Sequence, residues 1–316
     1  MTPARKRTLA PLLRDPRYEV LPLKHVESAI EALAPGATVT VTSSPAKGQD
    51  RTIELAEHLA AQGFHVVPHV AARQVRDGAH LREIIDRCRR AGIWDVFVVG
   101  GDAVEAAGAY GSGLELLEAL SREDHPFQRI GVPGYPEGHH AADGDTMTKA
   151  LLDKQAHATY MVTQMCFDAG AISRWLREVR SQRVWLPCYV GIPGAVDAHK
   201  LLRVSMKIGI GDSARFLRGN KATVARLLRV RGYTPDGLVR RLTRMLRDGE
   251  CDIAGFHIYT FNQVERSVRW VGATRSRVDA GPRPPRVRES LGSARPDHPR
   301  QRPRVGTVRR RMPTRR

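Results

Sequence analysis

The sequence predicts a protein of the α/β class folded as a (β/α)8 TIM barrel. Three observations lead there: short, nearly all-apolar runs alternate with amphipathic stretches, the alternation repeats eight times, and about 270 residues contain it. Near-continuous apolar strands between amphipathic helices belong to parallel sheets covered on both faces. An open doubly wound sheet shares that pattern, because periodicity carries no record of closure. A count of eight in a chain of this size is that of the closed form, with the open sheet left as the alternative.

The first apolar segment, Tyr18–Leu21, is followed by Pro22 and a helical pattern of Val26, Ala29, Ile30 and Leu33, closed by Pro35 and Gly36. Thr38–Thr42 is β-branched and strand-like; a polar loop, Ser43–Gln49, leads into a helix carrying Ile53, Leu55, Ala56, Leu59 and Ala60 and ended by Gly63. Phe64–Pro68 forms a third strand ending at His69, with Leu81, Ile84, Ile85 and Cys88 marking its helix. Trp94–Val99 runs into Gly100-Gly101-Asp102, and Leu114, Leu116, Leu117 and Leu120 mark the helix beyond. From Ile130 an apolar run ends in Gly134-Tyr135-Pro136-Glu137-Gly138-His139-His140, so polar groups crowd the carboxyl end of the fifth strand, where α/β proteins bind ligands. Its helix covers about Asp145–Ala156, and strand six, Tyr160–Thr163, ends at Gln164. After a helix around Ile172–Val179, Val184–Val190 is strand seven, leading to Gly191-Ile192-Pro193. A longer helical stretch, Ala195–Leu246, is broken by glycines; Gly255–Tyr259 is strand eight and Asn262–Val271 the last helix.

The formal charge of +18 would by itself point to a polyanionic partner, but the charge is concentrated. From Arg275 to Arg316 there are 14 Arg, no Lys, only three acids and seven Pro, with no aromatic residue. Such a segment buries too little to offset chain entropy. The expected organisation is therefore an extension over 1–16, the barrel over 17–272 and a disordered basic tail over 273–316. The four cysteines are widely spaced, so neither a zinc site nor a disulfide framework is signalled, which fits a reducing cytoplasm. Pro11 interrupts the few apolar residues of Met1–Arg17, too few for a signal-peptide core, and no run approaches the roughly 20 apolar residues of a membrane span.

In a barrel, Glu19, Thr42, His69, Asp102, Tyr135, His139, Gln164 and Tyr259 would surround one mouth, where such folds hold their active sites. Glu19 lies inside an apolar strand; desolvation should raise its pKa and make it a general acid, unless a Lys or Arg pairs with it. Asp102 follows two glycines that admit a ligand to the backbone, and its charge could balance a cationic intermediate. His69, Tyr135 and His139 offer donors and a stacking face. No metal spacing of the His-Glu-Xaa-Xaa-His kind occurs, and neither a Gly-Xaa-Gly-Xaa-Xaa-Gly turn nor a Walker loop follows a strand.

In order, these strand ends resemble the methylenetetrahydrofolate reductase family over about Tyr18–Val271. The family's opening Phe-Glu-Phe-Phe-Pro-Pro-Lys is matched loosely by Tyr18–Lys24, its Asp-Arg-Thr by Asp50–Thr52, and its Arg-Gly-Asp by Gly100–Asp102. Its Tyr-Pro-Glu-Gly-His is Tyr135–His139, its Ile-Thr-Gln-Xaa-Xaa-Phe-Asp is Val162–Asp168, and its His-Phe-Tyr-Thr-Leu-Asn is His257–Asn262. The resemblance implies a barrel that reduces 5,10-methylenetetrahydrofolate to 5-methyltetrahydrofolate with NADH or NADPH, the hydride passing through FAD or directly from the nicotinamide. It implies Glu19 as acid, Asp102 as stabiliser of the cation, and Gln164, with Tyr259, as substrate contacts. Thr42, His69, Gly101, Asp102, Tyr110, Gly111, Tyr135, His139 and Lys154 fall at flavin-contact positions. Three departures stand out: Gly100 replaces an arginine that contacts the flavin, Ser43 an aromatic residue, and Gln263 a frequent arginine. Losing a cation of this kind removes about 1.5–3 kcal/mol of attraction for an anionic ligand. The family includes actinobacterial members that work without flavin, which this Arg-rich, Lys-poor chain resembles in composition.

Two other readings remain open at the level of sequence. One is a different pterin- or folate-binding barrel enzyme, such as a methyl transferase; an aldolase would need a strand-end lysine, and Lys154 and Lys200 lie in helical segments. The other is a non-catalytic protein that binds nucleic acid or another polyanion through its tail.

Overall fold

The computed structural model describes residues 2–138, 144–197, 232–246 and 253–280. Eight parallel strands close into a barrel in sequence order: β1 (Arg17–Val20), β2 (Thr38–Val41), β3 (His65–Ala71), β4 (Asp95–Val99), β5 (Arg129–Gly134), β6 (Tyr160–Thr163), β7 (Cys188–Pro193) and β8 (Ile253–Tyr259), with β8 pairing back onto β1. The TIM barrel expected from the alternation is therefore what forms. Around it run α2 (Val26–Ile30), α3 (Gln49–Ala61), α4 (Gly78–Arg90), α5 (Gly113–Leu120), α6 (Gly144–Lys154), α7 (Ala169–Ser181), α8 (Asp236–Met245) and α9 (Val264–Asp279), preceded by α1 (Pro3–Leu12). Of the long helical stretch expected over 195–246, α8 is the helical part among the described residues; Val196 and Tyr233, also described, pair instead as an antiparallel bridge.

Side chains alternate between the faces of each strand. Tyr18, Val20, Val39, Val41, Val96 and Val98 point outward into the main core with Ile53, Leu59, Ile84 and Ile85 of the helices. The inward rows form a separate interior, with Val67, Phe97, Tyr160 and Val162 packed together. Gly131 is required there: a Cβ on it would lie 2.3 Å from the Tyr160 ring and 2.6 Å from Phe97.

The floor of the barrel, at the amino ends of the strands, is polar. Asp95, fully buried, accepts from Arg17 Nη2 at 2.7 Å and from the Tyr160 hydroxyl at 2.7 Å, and Arg129 Nε stands 3.7 Å away. The Arg17 guanidinium lies over the rings of Tyr160 and Tyr189, 4.2 and 4.4 Å from their centroids. A charge this deep is tolerated because it is paired and hydrogen-bonded.

Three boundaries differ from expectation. Strand β7 begins at Cys188 rather than Val184, because Arg180 donates to the carbonyls of Val184 and Leu186 and withdraws them from strand pairing. Strand β3 runs past Pro68 to Ala71, which places His69 within the strand. Helix α9 passes the expected barrel limit at 272 and reaches Asp279: Thr274 and Val278 continue the buried stripe of Val264, Ser267, Trp270 and Val271, while Arg275 donates to the carbonyls of Leu13 and Arg14. The remainder of the expected tail, 281–316, lies outside the described residues. The N-terminal extension is helical, and Leu9, Leu12 and Leu13 are buried where it meets β8, α8 and α9. No helix among the described residues is long and apolar enough to cross a membrane.

Candidate functional site

The carboxyl ends of the strands bring Glu19, His69, His257, Tyr259 and Gln164 to one place. On β1, Arg17 and Glu19 face inward, and on β8 the inward row is Gly255, His257 and Tyr259; the two strands pair with Glu19 level with Tyr259. Glu19 Oε2 lies 3.0 Å from His257 Nε2, and its side chain is 13% exposed. An ion pair between Glu19 and a Lys or Arg does not occur among the described residues. Burial pushes the Glu19 carboxyl up to about 7, against an opposing pull from His69. Burial holds His69 down at about 4 and His257 at about 3, so both rings are neutral near pH 7. His69 packs on Phe97, and its Nε2 is buried without a hydrogen-bond partner; its backbone carbonyl accepts from Gln49, fixing the end of β3.

Tyr259 donates to the Thr163 carbonyl at 3.1 Å and packs against His257. Burial, then Glu19 and Tyr135, raise its pKa well above 10. Tyr135, just beyond β5, is pushed up to about 12 by burial and by Asp102. Glu19, Tyr259, Tyr135 and Asp102 are thus successive electrostatic neighbours across the mouth. Gln164 turns its side-chain oxygen back onto the Met165 N–H, which leaves its NH2 group as a donor.

The loop after β4 is fastened down. Arg73 donates from Nε to the Ala103 carbonyl (2.6 Å), from Nη1 to Gly111 (3.2 Å) and from Nη2 to Val104 (2.5 Å). Backbone bonds from Arg73 to Gly100, Ala107 to Arg73 and Ala109 to Arg76 run alongside. Only glycine fits at 108, where a Cβ would fall 1.6 Å from the Arg76 carbonyl oxygen. Asp102 is exposed on this loop and Tyr110 is half-buried. Gly111 spends its N–H on Glu115, within the capping box that starts α5.

Thr42 stands just past β2 with its hydroxyl on the Val20 carbonyl. Lys154 is not brought to the mouth: it is the last residue of α6, and the helix of a βα unit runs back toward the strands' amino ends. The next residue, Gln155, bonds Arg183 and Trp185 in the turn before β7. His139 lies outside the described residues. Among the described residues no cluster of His, Cys, Asp or Glu could hold a metal ion.

Two positions that shape the mouth were given no role in the sequence reading. His257 shares an inward row with Tyr259, so strand alternation was the signal that could have found it. Arg73 had none, because its carbonyl partners lie 30 or more residues away.

A solved structure from Clostridium thermocellum, an uncharacterized protein described as binding two copies of 5-methyl-5,6,7,8-tetrahydrofolic acid, has the same fold. It superposes with a TM-score of 0.57 at 13% identity, covering 83% of this chain and 95% of that one. Methylenetetrahydrofolate reductase 1 of Schizosaccharomyces pombe is 24% identical over 201 residues, 60% of this chain; the match spans 33% of that relative's length. The sequence pattern described as methylenetetrahydrofolate reductase matches residues 23–272, which takes in every strand after β1. With most of its length covered by that match, the chain belongs to the methylenetetrahydrofolate reductase family.

Proposed function

We propose that this protein reduces 5,10-methylenetetrahydrofolate to 5-methyltetrahydrofolate with NADH or NADPH, and that Glu19 is its general acid. The observation that carries the reading is a carboxyl at the barrel mouth whose pKa burial has moved to about 7, where it both holds and releases a proton at neutral pH. Family membership, the name of the fission-yeast relative and the folate described for the clostridial protein support the substrate class.

The chemistry follows from the proton. Glu19 protonates the ring nitrogen that is to leave; the carbon–nitrogen bond breaks with its electron pair going to that nitrogen, and the methylene carbon becomes an iminium cation. A hydride from the reduced nicotinamide adds to that carbon, giving the methyl group and the oxidised nucleotide. Asp102, at the far end of the Tyr259–Tyr135 line, offsets the cationic charge, while the Gln164 NH2 group and Tyr259 orient the rings. Glu19 regains its proton from solvent.

The family implies a flavin, and the described residues at the expected contact positions do not fit the dinucleotide. Gly100 supplies no cation, the Arg73 guanidinium is committed to three backbone carbonyls, and α6 takes Lys154 away from the mouth. Asp102 and Tyr110 add no positive charge to meet a diphosphate. We therefore take the hydride to pass directly between two bound substrates. An absorption spectrum of the purified protein, followed by NADH and NADPH oxidation with and without methylenetetrahydrofolate, tests this. A colourless protein that oxidises the nucleotide only with the folate present is expected. Flavin bands bleached by the nucleotide would overturn direct transfer, and no folate-dependent oxidation would overturn the reaction.

A further inference from the structure

We propose that His257 is the positioning residue for Glu19: its Nε2–H fixes Oε2, so that Oε1 alone carries the proton delivered to the substrate. The inference rests on the reading of Glu19 as the acid and adds which oxygen acts and what holds it.

The argument is one of hydrogen-bond accounting. His257 is 2% exposed, its Nε2 lies 3.0 Å from Glu19 Oε2, and its Nδ1 is buried without a partner. A neutral imidazole has one N–H and one lone pair. A proton on Nδ1 would be an orphaned buried donor, the rarer and costlier defect; a lone pair there costs less. The proton therefore sits on Nε2 and points at Oε2. With Oε2 accepting, the acidic proton of the neutral carboxyl belongs on Oε1. When the Oε1–H bond breaks and the proton joins the substrate nitrogen, the electron pair stays on Oε1, and the carboxylate keeps the Nε2–H bond as a donor to its new charge. His257 need not change tautomer at any step, and with Nδ1 partnerless it has no route to do so.

The groups facing Glu19 are His257 and Tyr259 from β8, His69 from β3, and, further along β1, Arg17; Tyr135 stands behind Tyr259. Tyr259 spends its hydroxyl hydrogen on Thr163, and His69 Nε2 has no hydrogen-bond partner. Among the described residues this leaves His257 as the one side chain bonded to the carboxyl. Removing its donor should make Glu19 harder to ionise.

The test is a pH titration of the Glu19 carboxyl by infrared difference spectroscopy, its band assigned by its loss in Glu19→Gln, in wild type, His257→Leu and His257→Gln. The rate of folate-dependent nucleotide oxidation is measured across the same range. In His257→Leu the titration midpoint should rise by about one to two pH units, the loss of a hydrogen bond to a charged group. The alkaline fall in kcat/KM should move with it. In His257→Gln, whose amide can still donate, both should stay near wild type. A midpoint that stays put or falls in His257→Leu overturns the inference, whatever the activity. A midpoint that rises while the alkaline fall in rate does not move leaves the pairing standing and removes Glu19 as the acid.

Discussion

Replacing Glu19 by glutamine should make the protein more stable at alkaline pH while disabling it. Glutamine is close in shape to the protonated carboxyl but cannot ionise. In the folded state the Glu19 carboxyl titrates at about 7, against an ordinary value of 4.5. Between those values the folded chain binds more protons than the unfolded one. The stabilisation from this group is complete below pH 4.5 and is lost as pH rises through 7. At about 1.4 kcal/mol per pH unit, the full loss is about 3.5 kcal/mol in the wild type, roughly 2.5 kcal/mol of it between pH 5 and pH 8, and it is absent from the variant. His69 and His257 are shifted the other way, so their contribution grows as pH rises toward 6.5; the variant also removes the Glu19 charge that raises His69, a difference confined to pH below about 6.5. Urea unfolding followed by far-ultraviolet circular dichroism at pH 5, 6.5 and 8 measures the difference. The two proteins should be close at pH 5, and the variant should be more stable by about 2–3 kcal/mol at pH 8. Parallel stability curves across that range would refute the claim that burial holds a proton on Glu19.

Other consequences follow from the same description. Glu19→Gln should lose 10²–10⁴-fold in turnover, about the share a general acid supplies, and wild-type kcat/KM should fall tenfold per pH unit above about 7; steady-state rates from pH 5.5 to 9 check both. Asp95→Ala strands Arg17 and Arg129 on the barrel floor and should cost about 3–5 kcal/mol of stability, read from urea midpoints. Gly100→Arg meets no obstruction at its Cβ, whose nearest neighbour would be the Gly113 nitrogen at 4.0 Å. It should tighten flavin binding about tenfold by equilibrium dialysis, and unchanged binding would place the mismatch deeper than one side chain.

The strands were legible because burial on both faces leaves nearly uninterrupted apolar runs, as in Val96–Val99 and Tyr160–Val162. Where the sequence misled, a side chain was doing what a neighbouring strand usually does. Val184 and Leu186 look like strand, but Arg180 takes their carbonyls. Arg275 and Arg277 look like the start of a solvated tail, but one reaches the carbonyls of Leu13 and Arg14 and the other reaches Asp236. Glu19 announced itself as a carboxylate within an apolar strand. Its partner did not, because His257 is 238 residues away and only closure of the barrel makes them neighbours. Lys154 matched a motif position, yet the direction of α6 removes it from the mouth.

The seam between the first and last strands has a consequence for how the protein comes into being. Beyond that seam Asn262 clasps Leu21 from both sides, accepting from its N–H at 2.8 Å and donating to its carbonyl at 3.0 Å. The turn that presents it holds Phe261 and Asn262 at φ of 51° and 56°. A chain still emerging from the ribosome has made Glu19 long before it has made His257, Tyr259 or Asn262. Until the eighth strand docks, that carboxyl faces water and titrates as any surface glutamate does. Contacts this distant in sequence form late and slowly. The raised pKa is therefore a property of the finished barrel, and an interrupted chain carries Glu19 without its proton at neutral pH.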